Sequence, residues 1–216
     1  MPWHRHGCAT ARFCPPTTTV GVVFDYVTDV SGWEPWQREY RYGAIYVFPP
    51  NGIIEAIDEL RARYDPMSHA ICHAHVSVSE PFPRAVTDTD VEQLRAGVAR
   101  IEPFEVSYGQ PFATTPHPGV VYRIDPQAAF AGLRARLHAL PTFDGVELRR
   151  EGVPAHMTIA EFLTVAESEA LASQLAGTVP EGTWTCDEVE YAIPDIGFTF
   201  RRVATFPLAG GGPVSL

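Results

Sequence analysis

Apolar and polar positions alternate along this chain in two rhythms, and their order predicts the elements. The run "YGAIYVF" (42–48) is rich in β-formers and is closed by the breaker "PPNG". In "IIEAIDELRARY" (53–64) the apolar residues fall at 53, 54, 57, 60 and 64, a stripe along one helical face. "AICHAHVSVS" (70–79) alternates with period two and predicts a strand. "TDTDVEQLRAGVARI" (87–101) predicts a helix whose opening threonines and aspartates suit free amides. "FEVSYG" (104–109) and "VVYRI" (120–124) predict strands. The order then recurs: a helix over 126–140 opening on proline, a strand over 155–163, a helix over 165–177 ended by glycine, and strands over 185–193 and 198–208 joined by the turn "PDIG". The expectation is an α+β chain of two lobes that repeat each other, with "VVYRI" passing to the other lobe.

The flanks lack this rhythm. Residues 1–38 read as an irregular extension: a breaker-rich start, a short added strand at "VGVVFDYV" (20–27), and a loop "GWEPWQREY" (32–40) whose two tryptophans pack on the domain. His4, His6, Cys8 and Cys14 fit no common zinc spacing. The predicted boundaries are therefore 1–38 for the extension, 39–208 for the bilobal domain and 209–216 for a flexible tail.

Within 72–79, strand parity sends Cys72, Ala74, Val76 and Val78 to one face and His73, His75, Ser77 and Ser79 to the other. One face suits a core; the opposite face is a row of groups that donate, accept and carry protons. The segment "HVSVSE" (75–80) has a counterpart in "HMTIAE" (156–161), with each pair of residues identical or similar. The histidines are separated by 156 − 75 = 81 positions, too far for a solenoid repeat and suited to two halves of one domain. A pseudo-two-fold axis would bring His75 and His156 to opposite sides of one cleft, each followed on the same face by a hydroxyl, Ser77 or Thr158. Displacement at phosphorus needs this equipment. A base activates the incoming oxygen, an acid protonates the leaving oxygen, and hydroxyls hold the non-bridging oxygens.

The two copies, "HVSV" and "HMTI", resemble the His-x-Ser/Thr-hydrophobic signature of the two-histidine (2H) phosphoesterase superfamily, in its bacterial 2′-5′ RNA ligase-like branch. The likeness spans about residues 40–208, including element order and motif separation. It implies a bilobal α+β fold with two pseudo-symmetric antiparallel sheets lining a central cleft and helices outside. It also implies metal-independent hydrolysis of 2′,3′-cyclic phosphates or 2′,5′-phosphodiesters on small nucleotides or RNA ends, with no cofactor. By the same resemblance His75 is the acid and His156 the base.

Other residues carry two readings each. Glu80 and Glu161 end the two copies; they would pair with arginines at the lobe seam or accept bonds from a ribose hydroxyl or base edge, since a carboxylate repels phosphate. Tyr42, Tyr46, Phe82 and Tyr122 would stack on a base or pack in the core. Arg123, Arg149 and Arg150 would supply positive potential or merely solvate the surface. His73 has only Pro154 at the matching position and reads as a rim or structural residue; the rival is a metal-dependent hydrolase using His73 and His75. A nucleotide-binding module without turnover is the other alternative.

Composition narrows the partners. The formal net charge of −10 argues against a grip on long nucleic acid. All 16 basic residues are arginine, which excludes lysine Schiff bases, a P-loop lysine and a lysyl-adenylate. No apolar run approaches about 18 residues, so no membrane span is expected. Cysteines at 8, 14, 72 and 186 lack paired spacing and predict reduced thiols in a cytoplasmic protein, expected to be a monomer; Cys72 and Cys186 read as buried and inert.

Overall fold

The computed structural model describes residues 23–150 and 152–209. Each predicted half builds a strand, a helix and a second strand in turn. In the first half these are β1 (Ala44–Val47), α2 (Asn51–Tyr64) and β2 (Val76–Ser77); in the second they are β4 (Val120–Asp125), α5 (Gln127–His138) and β5 (His156–Ala160). An outer helix follows each, α4 (Asp88–Val98) or α6 (Val165–Leu175). Both outer helices start on capping boxes. Thr87 Oγ1 accepts the Asp90 amide while Asp90 accepts the Thr87 amide, and Thr164 and Glu167 do the same. Arg84 also grips Asp90 (2.6 Å), and these bonds outweigh burial and hold its carboxyl down at about 2.

After its outer helix each half gives a strand to the other half's sheet. The strand after α4, β3 (Phe104–Ala113), pairs with β4; the strand β7 (Glu188–Pro194) pairs with β1. Two antiparallel sheets result, ordered β2-β1-β7-β8 and β5-β4-β3-β6, with β6 at Gly182–Cys186 and β8 at Phe200–Pro207. The orders are mirror-related: the motif strand lies at the edge, then the strand preceding the inner helix, then the strand exchanged between halves. This is the α+β, two-sheet fold expected. The exchange goes further than the expected passage of "VVYRI", because "FEVSYG" also lies in the second sheet. A large hydrophobic core spans both sheets, from Ile45, Val76 and Val78 to Tyr122, Met157 and Ile159.

Several expected elements differ. The strand expected over 70–79 is reduced to β2, because Asp65 accepts the Ser68 amide (2.9 Å) and, with Pro66, starts helix α3 (Pro66–Ile71). The single strand expected over 185–193 divides at Asp187, leaving Thr185 and Cys186 in one sheet and the rest in the other. Residues 23–27 carry no strand, although Phe24 and Tyr26 pack against the core. The loop at 32–40 contains a short helix, α1 (Pro35–Glu39). Its Trp33 is buried and donates Nε1–H to the Ile196 carbonyl (3.0 Å), while Trp36 stays half exposed. His4, His6, Cys8, Cys14 and residues 20–22 and 210–216 lie outside the described residues. Among the described residues no helix is long and apolar enough to cross a membrane.

Candidate active site

The edge strands β2 and β5 meet between the sheets, and a cleft of about 670 Å³ opens over them. His75 and Ser77 line it from β2 and the turn before it; His156 and Thr158 line it from β5. Parity works as expected on the core side for Ala74, Val76 and Val78, which join the core; Cys72, before the strand begins, is buried but lines the cleft. On the polar side only the middle pair reaches the cleft. Ser79 is buried and its Oγ accepts the Ile45 amide (2.9 Å). His73 turns its Nδ1 to Asp58 (2.7 Å) and does not line the cleft.

The two histidines are held alike. His75 Nδ1 lies 2.6 Å from the His73 carbonyl, and His156 Nδ1 lies 2.8 Å from the Pro154 carbonyl. A carbonyl can only accept, so each Nδ1 carries the hydrogen and each Nε2 is left for the cleft. The residue before each histidine is pinned from the inner helix. Asp58 Oδ1 accepts the Ala74 amide (2.9 Å), and Gln127 Oε1 accepts the Ala155 amide (2.7 Å). Ala74 and Ala155 are separated by the same 81 positions as the histidines (155 − 74).

Their surroundings differ. Tyr46 and Phe48 place rings 4.7 Å and 5.8 Å from the His75 ring. That burial, with the charges of Arg61, His156 and Arg150, pushes the His75 imidazole down to about 4 despite the bond to the His73 carbonyl. Beside His156 the paired residue on β4 is Arg123. Burial pushes the Cys72 and Cys186 thiols up to about 12, so neither is a ready thiolate.

Four arginines line the cleft (Arg61, Arg134, Arg149 and Arg150) against two glutamates (Glu39 and Glu161). Carboxylates answer three of them: Glu39 pairs with Arg149 (2.6 Å), Glu80 with Arg150, and Asp58 lies 3.4 Å from Arg61. Arg150 is fixed from behind: Glu80 accepts its Nη1 (2.7 Å) and its own backbone amide (2.5 Å), and Tyr40 Oη accepts its Nη2.

The candidate substrate contacts separate accordingly. Glu80 is fully buried in this pair, behind the cleft wall, so its carboxylate is not offered to a ligand. Glu161 is exposed on the cleft. Tyr122 is fully buried and packs edge-on to Tyr108 (5.5 Å), because its place opposite Met157 turns it to the core face. Tyr42 lies outside the cleft, edge-on to Tyr26, and lines a separate shallow pocket. Arg123 sits beside His156 in register but runs to solvent and pairs with Asp125 (3.6 Å). Phe82 is in the core, whereas Tyr46 is on the cleft. Among the described residues no three His, Cys, Asp or Glu side chains gather to hold a metal ion.

Other lining residues were not expected. Arg61 and Arg134 come from the inner helices, and their signal is the tetrapeptide "LRAR", present at 60–63 and again at 133–136. Phe162, directly after the second motif, is exposed with φ +56. His117, in the loop between β3 and β4, has no sequence signal that marks it.

The model of the 2′-5′ RNA ligase superfamily matches residues 49–195, both motifs included. The chain belongs to this superfamily. As a 2′-5′ RNA ligase superfamily protein of the 2H phosphoesterase kind, it shares its fold with TT0787 of Thermus thermophilus (TM-score 0.51, 17% identity, 78% of this chain and 98% of that one). A crystallised phosphoesterase gives TM-score 0.51 and 16% identity over 77% of this chain and 97% of its own. E. coli LigT complexed with phosphate gives 0.51 and 16% over 77% and 96%. No curated protein matches by sequence.

Proposed function

We propose that the cleft hydrolyses 2′,3′-cyclic phosphates or 2′,5′-phosphodiesters of small nucleotides or RNA ends, with His75 and His156 as the acid–base pair. The observation that carries this reading is the matched pair of histidines. Both donate Nδ1–H to the carbonyl two residues back, both leave Nε2 to one cleft, and each is followed at i+2 by a cleft-lining hydroxyl. The buried Nε atoms of Arg61 and Arg134, without a hydrogen-bond acceptor in two residues that line the cleft, favour an anion there, and LigT, which has the same fold, takes phosphate.

In the reaction one neutral imidazole removes a proton from water as its oxygen bonds to phosphorus. The bond from phosphorus to the ribose leaving oxygen breaks, and the other imidazole, protonated, gives its proton to that oxygen. Ser77 and Thr158 hold the non-bridging oxygens. One water is consumed, and the proton taken and the proton given balance.

The family resemblance makes His75 the acid. Its low proton affinity in the empty cleft suits a base until the phosphate charge enters and raises it. The two roles separate by pH. As base, His75 gives a kcat/KM that falls only below about pH 4; as acid it gives one that falls above about pH 4.

The test is turnover of 2′,3′-cyclic AMP and 2′,5′-linked diadenylate with EDTA present. Wild type should turn over at least one, and His75→Ala and His156→Ala should each lose about 10²-fold or more. Activity abolished by EDTA favours the metal-dependent reading, and tight binding without turnover in wild type favours the binding module.

A further inference from the structure

The inner helices α2 and α5 each carry an arginine at the same place in "LRAR", and each is almost wholly buried: Arg61 is 3% exposed and Arg134 8%. Their bonds cross between the halves. Arg61 Nη1 donates to the carbonyl of Thr158, the hydroxyl residue of the second motif (2.8 Å). Arg134 Nη2 donates to the carbonyl of Ser77, the hydroxyl residue of the first (3.1 Å). With its remaining donors each arginine holds the segment leading into its own half's motif. Arg61 Nη2 bonds the carbonyls of Ser68 and Cys72 (both 2.8 Å); Arg134 Nη1 bonds those of Arg150 (3.0 Å) and Val153 (2.6 Å).

This is costly placement for a charge. Neutral carbonyls satisfy the Nη donors; Arg61 has a carboxylate in ion-pair reach, Asp58 at 3.4 Å from Nε, whereas Arg134 feels Glu80 only from farther off. Both Nε atoms are buried without a hydrogen-bond acceptor. A buried cation with incomplete compensation favours an anion beside it, and both arginines line the same cleft as the two hydroxyls. Lysine would keep the charge, but its ammonium lacks the planar fork that spans three carbonyls.

We propose that Arg61 and Arg134 are a crossed pair of positioning residues, each setting the opposing motif's hydroxyl, so that Ser77 and Thr158 grip one phosphate group together. The proposal rests on the cleft being a phosphoester site and adds a coupling that runs diagonally: Arg61 with Thr158, and Arg134 with Ser77. A merely structural clamp would couple to both hydroxyls alike.

Inorganic phosphate is the probe, because its binding is read without turnover. Arg61→Lys should weaken phosphate binding about tenfold, the loss of one charge-assisted contact. In a Thr158→Val background the same change should cost less than about twofold, and in a Ser77→Ala background about tenfold again. Arg134→Lys should give the reverse pattern. A second measurement needs no variant: phosphate titrated into the wild-type protein should shift the Arg61 and Arg134 Nε–H resonances. A lysine variant that binds phosphate like wild type, losses that add equally with both hydroxyl variants, or Nε–H resonances that stay fixed would each overturn the proposal. So would a wild-type cleft that takes no phosphate. Failure of every nucleotide to turn over would instead count against the assigned activity and leaves this binding test standing.

Discussion

The two motifs are near copies in sequence and unequal in environment. His75 sits against Tyr46 and Phe48; at the positions beside the second motif, the β4 register puts Val121 across from Thr158 and Arg123 across from His156. Glu80 is buried in an ion pair with Arg150, while Glu161 faces the cleft. Even the pins differ, an aspartate in one half and a glutamine in the other. A symmetric backbone thus carries two histidines in unlike surroundings, the asymmetry that the proposed acid–base pair would use. The backbone repeats the geometry of the histidines, and the neighbours of His75 lower its proton affinity.

The largest test of that asymmetry is at the glutamates. Glu80→Ala leaves the half-buried Arg150 cation and its backbone amide without their buried carboxylate and should cost about 3 kcal/mol in chemical denaturation. Glu161→Ala, on an exposed side chain, should stay within about 0.5 kcal/mol while altering nucleotide KM. Equal losses would mean the two positions are equivalent after all.

The pins come next. Asp58→Ala frees the Ala74 amide and the His73 imidazole and removes a carboxylate beside Arg61. It should lower stability by about 2–3 kcal/mol and kcat more than KM. Gln127→Ala, which loses a neutral partner, should do less on both counts, by about 1–2 kcal/mol.

A pH series sharpens the contrast between the histidines. The folded His75 value, about 4, lies below the ordinary 6.5. Between these values the unfolded chain binds more protons at this site, so unfolding free energy rises with pH across that window and is lost as pH falls through it. His75→Asn should flatten that slope when unfolding is followed from pH 4 to 7.

The smallest effect is expected at Tyr46→Phe. It keeps the ring against His75 and removes a hydroxyl whose proton is held well above the ordinary range, chiefly by burial. Stability should change by less than about 1 kcal/mol, and the His75 titration, followed by its ring proton shifts, should move little.

How much of this was legible in sequence depends on whether the signal was local. The motif strands, the inner helices and the cleft face of His75, Ser77, His156 and Thr158 follow from period, parity and repetition. Tyr122 did not, because its face is fixed by register against Met157, a pairing between distant segments. Asp187 divides two strands without any break in the apolar pattern. Helix α3 was legible in principle from Asp65 and Pro66, yet the alternation downstream of it extended the strand reading too far. Arg61 and Arg134 were hidden differently: an arginine on a helix reads as solvated, and only the recurrence of "LRAR" beside the recurrent motif marks them.

The exchanged strands β3 and β7 bear on heredity as well as architecture. The first sheet needs β7 and β8 from the later half of the gene, and the second needs β3 from the earlier half. A gene cut between β3 and β4 would therefore encode two fragments, each with a histidine motif and each missing a strand from the middle of its own sheet. If a duplication produced this chain, its single-copy ancestor had to pair with a twin to complete either sheet, and fusion made that partnership permanent. The two motifs can differ in their neighbours but cannot part without unpairing both sheets.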